Sequence, residues 1–82
     1  MCRNITVLRG LQPPASAEEI EAAARQYVRK VSGATKPPVG FEERFYDAVV
    51  AIAAITSDLL HDLPPRRQPP ATVPPMRRHG RP

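Results

Sequence analysis

Paired prolines set the frame for this chain. Pro13-Pro14, Pro37-Pro38 and Pro64-Pro65 leave two uninterrupted stretches between them. Proline lacks an amide donor, fixes its own φ and biases the preceding residue away from helical geometry. Regular structure must therefore fit between the pairs. The chain has 82 residues, enough for one domain at most.

The first stretch reads as a helix over 17–32. Ser16-Ala17-Glu18-Glu19 is a capping box, in which the Ser16 hydroxyl accepts from the Glu19 amide and the Glu19 carboxylate reaches back to the Ser16 amide. Apolar residues follow at Ile20, Ala23, Ala24, Tyr27, Val28 and Val31, one stripe of a 3.6-residue helix. Gly33 suits a left-handed C-terminal cap. Glu21, Arg25, Gln26, Arg29 and Lys30 occupy the opposite side.

The second stretch reads as a helix over 41–63, with Glu42 and Glu43 in the first turn, where the dipole favours acids. Phe41, Phe45, Ala48, Val49, Ile52, Ile55, Leu59 and Leu63 form a stripe that Tyr46, Val50, Ala53 and Leu60 widen. The apolar arc spans roughly half the circumference, more than the ~100° that one docked neighbour needs. The turn-rich residues 33–40 are short enough to bring this helix back antiparallel to the first. Part of the arc is then left for the N-terminal segment, a second copy or another protein to cover. Ile5, Val7, Leu8 and Leu11 can pin the N-terminal segment to the core.

The fold class expected is all-α: an antiparallel two-helix hairpin with an N-terminal extended or single-turn segment packed on it. Residues 1–63 form the helical domain. Residues 64–82 hold seven prolines and few apolar side chains, the composition of a disordered tail. With no Trp, the core must be built from Ala, Val, Ile and Leu around Tyr27, Phe41, Phe45 and Tyr46.

The net charge of +4 is unevenly placed. Residues 1–63 carry seven basic and all eight acidic groups and sum to −1, while Arg66, Arg67, Arg77, Arg78 and Arg81 make the tail purely cationic. Attraction to RNA or DNA is therefore sought first in those five arginines. The tail has no aromatic residue to stack on bases, and a solubilising role explains it as well. The single cysteine, Cys2, excludes an internal disulfide. No apolar run approaches the ~20 residues of a membrane span, and the N-terminus has no signal-like apolar core. The chain is read as cytoplasmic, with no membrane partner.

Candidate chemistry is sparse. Cys2 beside Arg3 offers a thiol, or a thiol–amine chelate if Met1 is removed, with His61 as a conceivable base. Asp58, His61 and Asp62 share one side of the second helix at a spacing that can bind zinc. A solvated helix end, with His61 complementing the dipole, explains them more simply. Arg25, Arg29 and Lys30 could contact phosphate, or simply follow ordinary helix charge placement. No Gly-rich phosphate loop, Ser-His-Asp set or paired-Cys motif occurs, so neither a cofactor nor an enzyme is expected.

The opening Met1-Cys2-Arg3-Asn4-Ile5, the run from Pro13 to Ile20 and Gln26-Tyr27-Val28-Arg29-Lys30-Val31-Ser32-Gly33 resemble the short bacterial proteins grouped as domain of unknown function 2277. Lys36-Pro37, Phe45, Ala48-Val49, Ile52, Thr56, Leu59-Leu60 and Leu63 fit the same family's second helix. The resemblance covers residues 1–63; the tail departs from it, being shorter and richer in proline. It implies that Cys2, Arg3, Asn4, Arg29 and Lys30 belong to a shared surface, and it implies no activity. The functional expectation is a non-enzymatic helical module for binding a protein partner or a second copy. A nucleic-acid or ribosome-associated role of the tail and a thiol or metal site at Cys2 are the alternatives.

Overall fold

The computed structural model describes residues 3–79 and, of 78 and 79, the backbone alone. The elements in chain order are α1 (Ala17–Ser32), α2 (Glu42–Asp62) and the short α3 (Pro75–His79). No strand occurs among the described residues. The all-α hairpin expected from the proline frame is the fold.

Local chemistry explains where the helices begin and end. At α1 the Glu19 amide donates to Ser16 Oγ at 3.1 Å, and the Ser16 amide donates to Glu19 Oε1 at 2.8 Å. Gly33 ends α1 at φ 72°, its amide donating to the Arg29 carbonyl at 3.0 Å. A side chain there would strain the left-handed backbone. No side chain caps the start of α2. The Phe41 amide donates to the Pro38 carbonyl at 2.9 Å, and Glu42 Oε1 accepts from the Gly40 amide at 3.1 Å. Leu63 closes α2 with its amide on the Leu59 carbonyl at 3.0 Å, and Pro64 follows.

Two small apolar clusters hold the helices together. Ala24 and Val28 of α1 enclose Val49 of α2, which is 1% exposed, with Phe45, Ala48, Ile52 and Ala53 around them. Nearer the start of α1, Ile20 packs with Leu8 and Leu11, and Ala15, Ala53, Leu60 and Val73 surround them. The second cluster follows from length. α2 has 21 residues and α1 has 16, a difference of about 7 Å of helix. Leu8 and Leu11 lie at this end of the hairpin, against the C-terminal half of α2. The N-terminal segment thus packs on the hairpin as expected.

The tail, predicted from sequence to be disordered, makes contacts along its described part. Arg9 Nε donates to the Pro64 carbonyl at 2.8 Å. Gly10, at φ 90°, lets the Arg66 side chain pass so closely that a Cβ on Gly10 would stand 3.0 Å from Arg66 Cδ. Val73 joins the Leu8–Leu11–Ile20 cluster. Arg77 then grips Glu19, with Nε on Oε2 at 2.7 Å and Nη2 on Oε1 at 3.1 Å, and Nη2 also donates to the Pro14 carbonyl at 2.9 Å. Proline stiffness and a buried acid favour these contacts. Prolines lower the entropy lost on docking, and Glu19 is buried at a point where it needs a charged partner.

The hydrogen bond from Arg77 is the main influence on the Glu19 carboxyl, holding it below its ordinary value of 4.5 against the opposing effect of burial. A lowered carboxylate stabilises the docked state fully above its ordinary value and loses that contribution as pH falls through the lowered one.

Two outcomes follow. Val49→Ala should remove about 2 kcal/mol of stability, read by urea denaturation, from a domain whose total is about 5 kcal/mol. Glu19→Gln keeps a capping-box side chain but loses the carboxylate that holds Arg77. At neutral pH it should speed tryptic cleavage after Arg66 and Arg67 several-fold while leaving α1 helical by circular dichroism. In the unmodified chain, acidification below the ordinary carboxyl range should lower the protection of the Val73, Met76 and Arg77 amides, measured against their intrinsic exchange rates at each pH.

Candidate functional site

Of the 21 residues of α2, Val49 alone is buried. The flank turned to α1 and to the N-terminal segment carries Phe45, Val49, Ala53 and Leu60. The flank beyond it is left open. Phe41 is 51%, Ile55 71% and Leu59 56% exposed. Phe41, Phe45, Ala48, Ile52, Ile55 and Leu59 follow one another at alternating intervals of four and three, the spacing of a coiled-coil seam. The inner members of this row are half-buried against α1, and the outer ones are half or more exposed.

The hairpin has two distinct faces. Arg25 and Arg29 of α1, Lys36 of the connection and Tyr46 of α2 border one cleft of about 180 Å³. These residues mark the side on which the Arg25 flank of α1 and the Tyr46 flank of α2 meet. The opposite flanks share the other face. At 100° per residue these carry Tyr27 and Val31 on α1 and Phe41, Ile55 and Leu59 on α2, all exposed. One face is therefore basic and concave, and the other is apolar.

The residues singled out in the sequence are dispersed across the structure. Cys2 lies outside the described residues. Arg3 is exposed, and the Asn4 amide donates to Gln26 Oε1 at 2.7 Å. Gln26 and Lys30 stand one helical turn apart, so Asn4 and Lys30 border the same stretch of α1. Arg29 instead lines the cleft with Arg25. Among the tail cations, Arg77 is held by Glu19, the Arg66 stem lies against Gly10 and Arg67 is exposed. The Arg78 side chain and Arg81 lie outside the described residues.

Asp58, His61 and Asp62 are exposed, and His61 borders a second cleft of about 300 Å³ between residues 8–15 and the end of α2. No group of three His, Cys, Asp or Glu among the described residues could hold a metal ion. No helix among them is long and apolar enough to cross a membrane.

Sequence reasoning missed two features. Lys36, rather than Lys30, joins Arg25 and Arg29 at the cleft. The signal was present in the Gly33 turn, which sends the next residues back alongside the last turn of α1. The pairing of Glu19 with Arg77 had no local signal, because the two lie 58 residues apart.

Neither a curated protein nor a solved structure matches the chain. A family model described as an uncharacterized conserved protein, DUF2277, matches residues 1–81. The resemblance was confined to residues 1–63 on the sequence alone; the match runs on through the tail and corrects that boundary. The docking of Val73 and Arg77 onto the hairpin accords with a family extent that includes them. The chain belongs to the DUF2277 family of uncharacterized conserved proteins.

Proposed function

We propose that this protein is a non-catalytic helical association module and that the occupant of its apolar face is a second copy of the chain. The observation that carries the reading is the open row on α2, with Ile55 and Leu59 at its outer edge. Apolar side chains at four-three intervals favour another helix over a small ligand or a flat surface. Tyr27 and Val31 extend the face across α1, so two hairpins joined through it make a four-helix arrangement.

Charge selects the second copy and its direction. In an antiparallel pair of α2 helices crossing near Val50 and Ala51, Phe41 stands level with Leu59 and Ala48 with Ile52. Arg44 of one copy then lies near Asp58 of the other, twice by symmetry, and the helix dipoles oppose. A parallel pair aligns the two helix dipoles and leaves Arg44 and Asp58 about 21 Å apart along the axis. The surface is thus complementary to itself in one orientation, as a two-fold interface requires.

Sedimentation of the full chain at micromolar concentration tests this. A mass of two chains is expected. Ile55→Glu combined with Leu59→Glu should give a monomer of unchanged helicity. Arg44→Asp should weaken association about fivefold, for two exposed pairs of about 0.5 kcal/mol each, and adding Asp58→Arg should restore it. A strict monomer at a hundred micromolar would remove the reading.

A further inference from the structure

The cleft on the opposite face is a second surface, and its chemistry differs. Its wall on α1 is Arg25 and Arg29, one helical turn apart. Lys36 closes one end from the connection, and Phe45 and Tyr46 of α2 form the facing wall. Glu42 is the only acid lining it among the described residues, and one of its oxygens accepts from the Gly40 amide. Arg25 is tied to Glu21 at 2.7 Å through a single nitrogen, which leaves other N–H groups of its fork free to donate. Arg29 and Lys36 have no acidic partner among the described residues.

The charge balance at this spot is positive. Three cations and one acid line the cleft, a surplus of two positive charges, or one if Glu21 behind Arg25 is counted. Residues 1–63 as a whole sum to −1. Cations gathered at one concave place raise the local potential and attract an anion. Ordinary helix charge placement accounts for Arg29 near the C-terminal end of α1. It does not account for Lys36 on the same cleft, nor for the aromatic wall facing them.

We infer that this cleft is a binding site for a phosphate monoester carried on a small planar group. A phosphate monoester has a charge of about −1.5 to −2 at neutral pH and three acceptor oxygens, matching the surplus and the three donor side chains. The Arg25 and Arg29 forks and the Lys36 ammonium hold the phosphate. The Tyr46 and Phe45 rings contact the planar group. At about 180 Å³ the cleft takes a single ring with its phosphate and is too small for a dinucleotide. Arg25, Arg29, Lys36 and Tyr46 lie on the flank away from Ile55 and Leu59, and Phe45 is shared between the cleft wall and the inner part of the row.

The test uses the full ¹⁵N-labelled chain titrated with phenyl phosphate, inorganic phosphate and benzoate at fixed ionic strength. Saturable shifts of the Arg29, Lys36 and Tyr46 amides with phenyl phosphate are expected, weaker binding with inorganic phosphate, and little with benzoate. Arg29→Ala and Lys36→Ala, both on exposed residues, should each weaken phenyl phosphate about tenfold, the loss of one charge-assisted contact. Tyr46→Ala should weaken phenyl phosphate and leave inorganic phosphate unchanged. Arg67→Ala, outside the cleft, should change neither, and the Ile55→Glu/Leu59→Glu monomer should still bind. Shifts centred on Arg66 and Arg67, equal response to benzoate, or no saturation by ten millimolar would each overturn the assignment.

Discussion

Val49 packed between Ala24 and Val28 is the contact on which the rest of the hairpin depends. Val49 is the most buried of the core side chains among the described residues, and Ala24 and Val28 around it are small. With so few large residues, one closed cluster cannot bury all that α2 offers. Each remaining apolar side chain must find cover elsewhere or stay open. Leu8, Leu11 and Val73 supply cover at one end of the hairpin, and the Ile55–Leu59 flank stays largely exposed.

What could be read in advance was what is local in the chain. The capping box at Ser16, the glycine at 33 and the prolines at 64 and 65 act within four residues of the helix ends they define, so both helices were visible to within a residue. The excess width of the α2 apolar arc was visible too, because periodicity alone reveals it. The direction of the open flank was not, since it depends on which side α1 takes. The path of the tail was hidden for a related reason. Prolines and arginines carry the composition of an unfolded segment, and nothing near Arg77 points to an acid that lies beyond two helices. The cation set at the cleft was half visible. Arg25 and Arg29 are neighbours by helical spacing, whereas Lys36 reaches them only once the connection has turned.

The two faces of the hairpin divide its chemistry cleanly. In the proposed pairing the apolar row would gain energy by leaving water, and the opposite charges near its two ends would give it direction. In the proposed site the basic cleft would gain energy from fixed donors around an anion, in competition with salt. Placing these on opposite sides of a two-helix body keeps the attractive charges from crowding the dry surface. The cationic tail does not blur this division, because its described part runs over the N-terminal segment and the start of α1.

The Glu19–Arg77 pair has one more consequence. It ties the beginning of α1 to a point near the far end of the chain, so it closes a long non-covalent ring. The entropy of closing such a ring grows only with the logarithm of its length, about 0.6 kcal/mol for each doubling. The strap between Leu63 and Val73 can therefore gain or lose a few residues at small cost. The two groups that clasp it have no such latitude, because a buried acid tolerates the loss of its counter-charge poorly.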